Sequence, residues 1–255
     1  MSWAAVSSLW PVAVAVVALA ALAAGVGALG GLRHGRDVVT AVARAVVQIG
    51  AVGLVLGVVL RTPALAPLYL TAALAVASWT SARRLRVPGA ASVWPLTALA
   101  IGAGAASAAV VVVAVGALEL RVLQVVPFTA QLIGGCMSAT TLAGRRMLDD
   151  VESGWAEVEG WLAIGARPAQ AVAPLGRTAA SRALAPALDQ TRTVGLVTLP
   201  GAFVGLLLGG ATPWEAARVQ LLVLAGLLAA ETVAAVVVTG GLGRRLRTKP
   251  VRGSS

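Results

Sequence analysis

Few side chains in this sequence can do chemistry, and most of those lie in long apolar runs. Glu231 is the one carboxylate set well inside such a run, residues 218–242. At that depth a lone carboxylate stays protonated, pairs with a neighbouring helix or meets a cation, and residue type alone leaves these open. Arg44 and Gln48 are four apart within 38–60 and so share one face of a helix. An arginine there costs about 3 kcal/mol on insertion scales, so it either faces a bundle interior or wet path or snorkels to the headgroups. Gln131 and Gln220 are milder polar positions that hydrogen-bond between helices or line a path. Cys136 and Met137 are soft donors that suit a soft metal, although among small residues a buried apolar role serves equally well. Asp189 and Arg192, three apart, can pair at a helix start, and Pro200-Gly201 interrupts the run 192–210 as a kink or a hinge.

Several chemistries are excluded. One cysteine and one histidine, His34, allow neither an intrachain disulfide framework nor a histidine-clustered metal site. No G-x-x-x-x-G-K-[ST] loop is present, so the chain cannot hydrolyse ATP unaided, and no Ser, His, Asp constellation offers a nucleophile.

The elements that must position these residues are membrane helices. Of 255 residues 58% are hydrophobic and 12% charged, and the mean hydropathy is +0.89, which excludes an ordinary soluble domain. A spanning helix needs about 20 apolar residues, and its backbone must satisfy its own hydrogen bonds. Seven runs qualify, at 11–32, 38–60, 64–81, 92–117, 122–143, 192–210 and 218–242, which predicts an all-α polytopic bundle of about seven spans. The first is read as a retained helix rather than a signal peptide, because no Lys or Arg precedes it. Fifteen of the twenty basic residues follow the first, third, fifth and last runs, whereas Arg61, Arg121 and Arg218 lie on the other side. The positive-inside rule then puts the N-terminus outside, the C-terminus and its basic tail 244–255 inside, and residues 144–191 in the cytoplasm. The surplus of basic over acidic residues, 20 against 10, fits topology and lipid phosphates better than nucleic acid.

Within 144–191 the apolar residues Leu148, Val151, Trp155, Val158 and Leu162 recur at steps of three and four, a helical stripe flanked by Asp149, Asp150, Glu152, Glu157 and Glu159. Gly165 is placed to cap that helix and Pro168 to open the next, giving a helix, a tight corner and a second helix. Such a hairpin either lies on the headgroups or docks in a partner's groove. Its acidic face disfavours anionic lipid.

Together these residues resemble a known family. Glu159 followed six residues later by Gly165 is loosely similar to the coupling motif of ABC transporter permeases. In "ARAVVQIG", Arg44 and Gln48 resemble the signature of FetB or YbbM type permeases in the second span. "LQVVPFTAQLIGGCM" is similar to that family's Gln-Val-x-Pro run, through Gln124, Pro127, Gly134 and Met137, and "LAIGARPAQA" followed by "DQTRTVGLVTLPG" to two further stretches. Order and spacing hold from about residue 40 to 240. Gly135 departs, standing where the family carries Asn.

The resemblance implies a single permease domain over 1–255 that moves iron or another metal outward across the inner membrane. It also implies a homodimer with a separate cytoplasmic ATPase that holds ATP and Mg, this chain binding no cofactor itself. Trp155, Glu159, Gly165, Ala166, Arg167 and Pro168 would form the coupling contact. Arg44, Gln48, Gln124, Gln131 and Glu231 would line the pathway, and Pro200 and Gly201 would hinge it. Two other readings stay open: an ion-gradient carrier, and a membrane scaffold without transport.

Overall fold

The computed structural model describes residues 3–32, 35–85, 87, 90–196 and 199–245. His34, Arg33, Arg86 and most of the basic tail, with Arg247, Lys249 and Arg252, lie outside the described residues. The chain divides into two compact units, Met1–Pro63 and Ala64–Ser255.

The first unit is a helical pair, α1 (Trp3–Leu29) and α2 (Gly35–Arg61), packed on each other. The end of α1 is closed by Gly31 at φ +74, with the amides of Gly31 and Leu32 donating to the carbonyls of Ala28 and Gly27. That is the Schellman arrangement, which glycine enters without the left-handed penalty.

The second unit holds α3 (Ala66–Arg84), α4 (Ala90–Ala114), α5 (Val122–Ser153), α6 (Trp155–Ala163), α7 (Pro168–Ala171), α8 (Ala173–Ala183), α9 (Ala185–Thr193), α10 (Gly201–Leu208) and α11 (Pro213–Arg245). Among the described residues the regular structure is helical throughout, and six helices are long and apolar enough to cross a membrane. The protein is a multi-pass membrane helical bundle.

Small residues decide the packing of α4, α5 and α11. A Cβ added at Gly104 would strike the carbonyl of Ala230 and lie 2.8 Å from the Cys136 Sγ, so three backbones converge where no larger residue fits. Hydroxyls tie α3 to its neighbours: Thr97 donates to the Ser78 carbonyl (2.9 Å), Trp94 Nε1 to Ser78 Oγ (2.8 Å) and Thr141 to Ser81 Oγ (3.0 Å).

Two predicted elements come out differently. The run 192–210 is not one helix: α9 stops at Thr193, Gly195 takes φ +80, Pro200 is extended, and only the eight residues of α10 follow before Gly210 at φ +91. Pro200 has no amide to donate and disfavours helix in the residue before it. Eight residues rise about 12 Å, well short of a hydrocarbon core of about 30 Å. The start of α11 lies beside the start of α5 around one cavity, whereas Gly176 of α8 lies against Met147 of α5 and Thr239 of α11. Ala202 and Leu206 of α10 lie at the cavity end of the bundle.

The helix predicted from Leu148 to Gly165 is likewise two helices, broken at Gly154, whose amide bonds the Asp150 carbonyl at 2.9 Å. The stripe survives the break. Val151 and Val158 are buried, and Leu148, Trp155 and Leu162 are half-buried.

Candidate functional site

The hairpin corner is built by two rules. Gly165 takes φ +90, its amide donates to the Leu162 carbonyl and that of Ala166 to the Trp161 carbonyl, both at 3.0 Å, completing a Schellman motif. Arg167 is extended, its amide donates to Gln170 Oε1 at 2.9 Å, and Pro168 opens α7 without an orphaned donor. The tip displays Trp161 (47% exposed) and Ile164 (75% exposed), with Glu157, Glu159, Gly165, Arg167 and Pro168 exposed around them and Ala166 half-buried. Trp155 faces the other way, into the core beside Val151 and Val158. Of the candidates for contact it is therefore the anchor. Trp161 is the tip aromatic that sequence reasoning passed over, because the apolar stripe drew attention inward; its signal was its place off that stripe.

Behind the tip the hairpin is fastened to the long helices. Arg182 of α8 pairs with Asp150 of α5 at 3.6 Å, and the Arg146 guanidinium donates to the Arg182 carbonyl. Gly243 of α11 is near enough to Val172 that a Cβ there would sit 3.2 Å from its Cγ2. Asp189 and Arg192 form the expected pair, at 3.7 Å.

At the opposite end of the second unit a cavity of about 880 Å³ opens between the α4–α5 connection, α5, α10 and α11. It brings together Gln124 and Gln131, and it adds Glu119, Glu215 and Arg218, which sequence reasoning had not grouped. Both acids are locally engaged. Glu119 pairs with Arg121 at 2.6 Å, while Glu215 accepts from the amide and hydroxyl of Thr212, each at 2.8 Å, as a cap on α11. Ala202 and Leu206 of α10, just beyond the Pro200-Gly201 break, form part of the wall.

From that cavity a row of exposed positions descends α5 at helical spacing: Gln124, Pro127, Gln131, Gly134 and Ser138. Beside it Glu231 projects from α11, half-buried, against the backbone of Gly135. No hydrogen bond or ion pair joins Glu231 to any other of the described residues in the second unit. Cys136 is fully buried at the α4–α5–α11 contact, and Met137 is half-buried. Gln220 is buried with its Oε1 unpartnered. Among the described residues no three His, Cys, Asp or Glu side chains gather as a metal cluster. In the first unit, Arg44 and Gln48 share one exposed face of α2.

Known proteins agree with this architecture. The chain is 32% identical over 206 residues to the UPF0014 membrane protein STAR2 of Oryza sativa subsp. japonica, covering 80% of this chain and 71% of that one. It is 31% identical over 209 residues to Protein ALUMINUM SENSITIVE 3 of Arabidopsis thaliana, covering 80% and 74%. It is 31% identical over 205 residues to the Probable iron export permease protein FetB of Escherichia coli strain K12, covering 79% and 78%. No solved structure matches. Residues 10–246 match the family described as "Uncharacterised protein family (UPF0014)", and the chain belongs to that family of membrane proteins.

Proposed function

We propose that this chain is the membrane-spanning permease subunit of an ABC transporter of the inner (plasma) membrane. A separate cytoplasmic ATPase supplies the energy, and two copies of the permease enclose the path. The cargo is a metal ion moved outward, a reading supported by the relative named an iron export permease. Seven crossings, with 194–212 as the broken sixth, keep the hairpin on the cytoplasmic side as the distribution of arginines requires. The helical part of that segment, α10, lines the cavity through Ala202 and Leu206, and non-helical backbone at membrane depth is tolerated only where it is buried in protein or lines such a space.

The observation that carries the reading is the corner at Gly165: a rigid, exposed tip bearing Trp161 and Ile164, fastened to α5 and α11. Closure of the ATPase dimer pushes on this tip, and the long helices move with it as rigid bodies. Co-purification with the cognate ATPase tests the contact. Ile164→Asp should abolish association while the permease stays monodisperse; association at the wild-type level refutes the tip as docking site. Glu231, without an ion pair or hydrogen bond among the described residues of its unit, gives one reason to weigh an ion-gradient carrier, and uptake by proteoliposomes holding the permease alone would establish that alternative.

A further inference from the structure

Gly135 lies mid-helix in α5, where its backbone conformation makes no demand for glycine. Its space does. A Cβ built there would fall 2.6 Å from Glu231 Oε1 and 2.6 Å from Leu227 Cδ2. The adjacent Gly134 is the internal comparison, since a Cβ there meets nothing within 4 Å. At Gly135, unlike Gly134, the ends of two flexible side chains, one of them a carboxylate, lie against the helix backbone and would have to move aside for a methyl.

That carboxylate is half-buried, has no ion pair or hydrogen bond among the described residues of its unit, and sits within a membrane-crossing helix. An anionic oxygen so placed is costly unless it takes up a proton or a cation meets it. The same face of α5 adds only oxygen-bearing groups within a turn of Gly135, Gln131 before it and Ser138 after it, and both are exposed. The thiol that could recruit a soft metal, Cys136, is fully buried against the Gly104 position and is not exposed on that face. Oxygen donors without sulfur favour hard divalent cations over soft ones.

We propose that Glu231, seated in the notch left by Gly135 and flanked by Gln131 and Ser138, is a binding site for a hard divalent cation. Gly135 is the positioning residue that holds the carboxylate at that seat. This deepens the permease reading and rests on it for the ion's onward movement, though not for its binding.

Mn(II) is the probe, titrated by electron paramagnetic resonance against the full-length permease in nanodiscs. Gly135→Ala should weaken binding about tenfold or more, the size a one-methylene misfit produces in a fitted site, and Gly134→Ala should leave it unchanged. Glu231→Gln should abolish it. The decisive variant is Gly135→Ala with Glu231→Asp, whose shorter side chain withdraws the carboxylate from the added methyl and should restore most of the loss. Rescue instead by Gly135→Ala with Leu227→Ala would show that the glycine serves packing alone and would overturn the proposal. Loss of Mn(II) binding in Cys136→Ser, or tighter binding of Cu(I) than of Mn(II), would overturn it as well. Because the ATPase is absent, failure of the notch and failure of ATPase coupling are read separately.

Discussion

Replacing Gly165 by Ala isolates the backbone contribution to the hairpin corner. Gly165 stands at φ +90, and nothing lies within 4 Å of the position a Cβ would take, so the methyl clashes with no neighbour. What remains is the cost of holding an L-residue in the left-handed region, about 1–2 kcal/mol. That cost falls on a motif held by two hydrogen bonds, from the amides of Gly165 and Ala166 to the carbonyls of Leu162 and Trp161. A destabilisation of one or two kcal/mol raises the open population about 5–30-fold. Hydrogen exchange across residues 161–166 should quicken by that factor, while exchange in α8 and α11 stays unchanged. Gly160 supplies the control, because it too has nothing within 4 Å but lies inside α6. There alanine should slow exchange slightly, by the preference of about 0.5–1 kcal/mol for alanine over glycine in a helix. If Gly165→Ala exchanges at the wild-type rate, or if both variants respond alike, the corner is not held by its left-handed glycine and the rigid-tip argument fails.

Other substitutions separate anchor, contact and packing. Trp155→Ala, which empties a place beside Val151 and Val158, should cost about 3 kcal/mol and lower the melting temperature, whereas Trp161→Ala should leave stability unchanged and weaken ATPase association. Gly104→Val should fall at or above the upper end of the overpacking range, about 3 kcal/mol, because its methyls meet the backbone carbonyl of Ala230; Gly102→Val, facing only the flexible end of Leu74 at 3.6 Å, should be tolerated in thermal denaturation. Asp150→Asn should shift stability by less than about 1 kcal/mol, since its partner Arg182 is largely exposed, and added salt should erase the difference.

Long apolar helices, the buried stripe through Val151 and Val158, and the cap at Gly165 were all legible because each rests on local periodicity or on a single residue's backbone preference. The break in 192–210 was visible as Pro200-Gly201 but underestimated. Gly195 and Gly210 add two left-handed turns, and a lone glycine in an apolar run carries no mark of its φ. The cavity that joins Gln124 and Gln131 to Glu119, Glu215 and Arg218 was illegible because it depends on which helix ends meet. For the same reason Gly134 and Gly135 look equivalent in sequence. Only the approach of α11 sets side chains against one of them.

The hairpin tip and the Glu231 seat are joined by the same pair of helices. The hairpin is fastened to α5 through Asp150 and Arg182 and lies against α11 at Val172 and Gly243, so a push at Ile164 is delivered to both. α5 and α11 are 32 and 33 residues long, and their contact contains Gly135 and Glu231. The clearance there is smaller than one methyl group. A displacement of about 1 Å between the helices, the scale of ordinary interface shifts, therefore suffices to open or crowd the carboxylate's seat. ATP binding to the partner should then change Mn(II) affinity in the wild-type complex, and combining Asp150→Ala with Arg182→Ala should reduce that change without removing it, because Val151, Trp155 and Val158 still hold the hairpin in the core. Nucleotide-independent Mn(II) affinity in the wild-type complex would break the link between the tip and the notch.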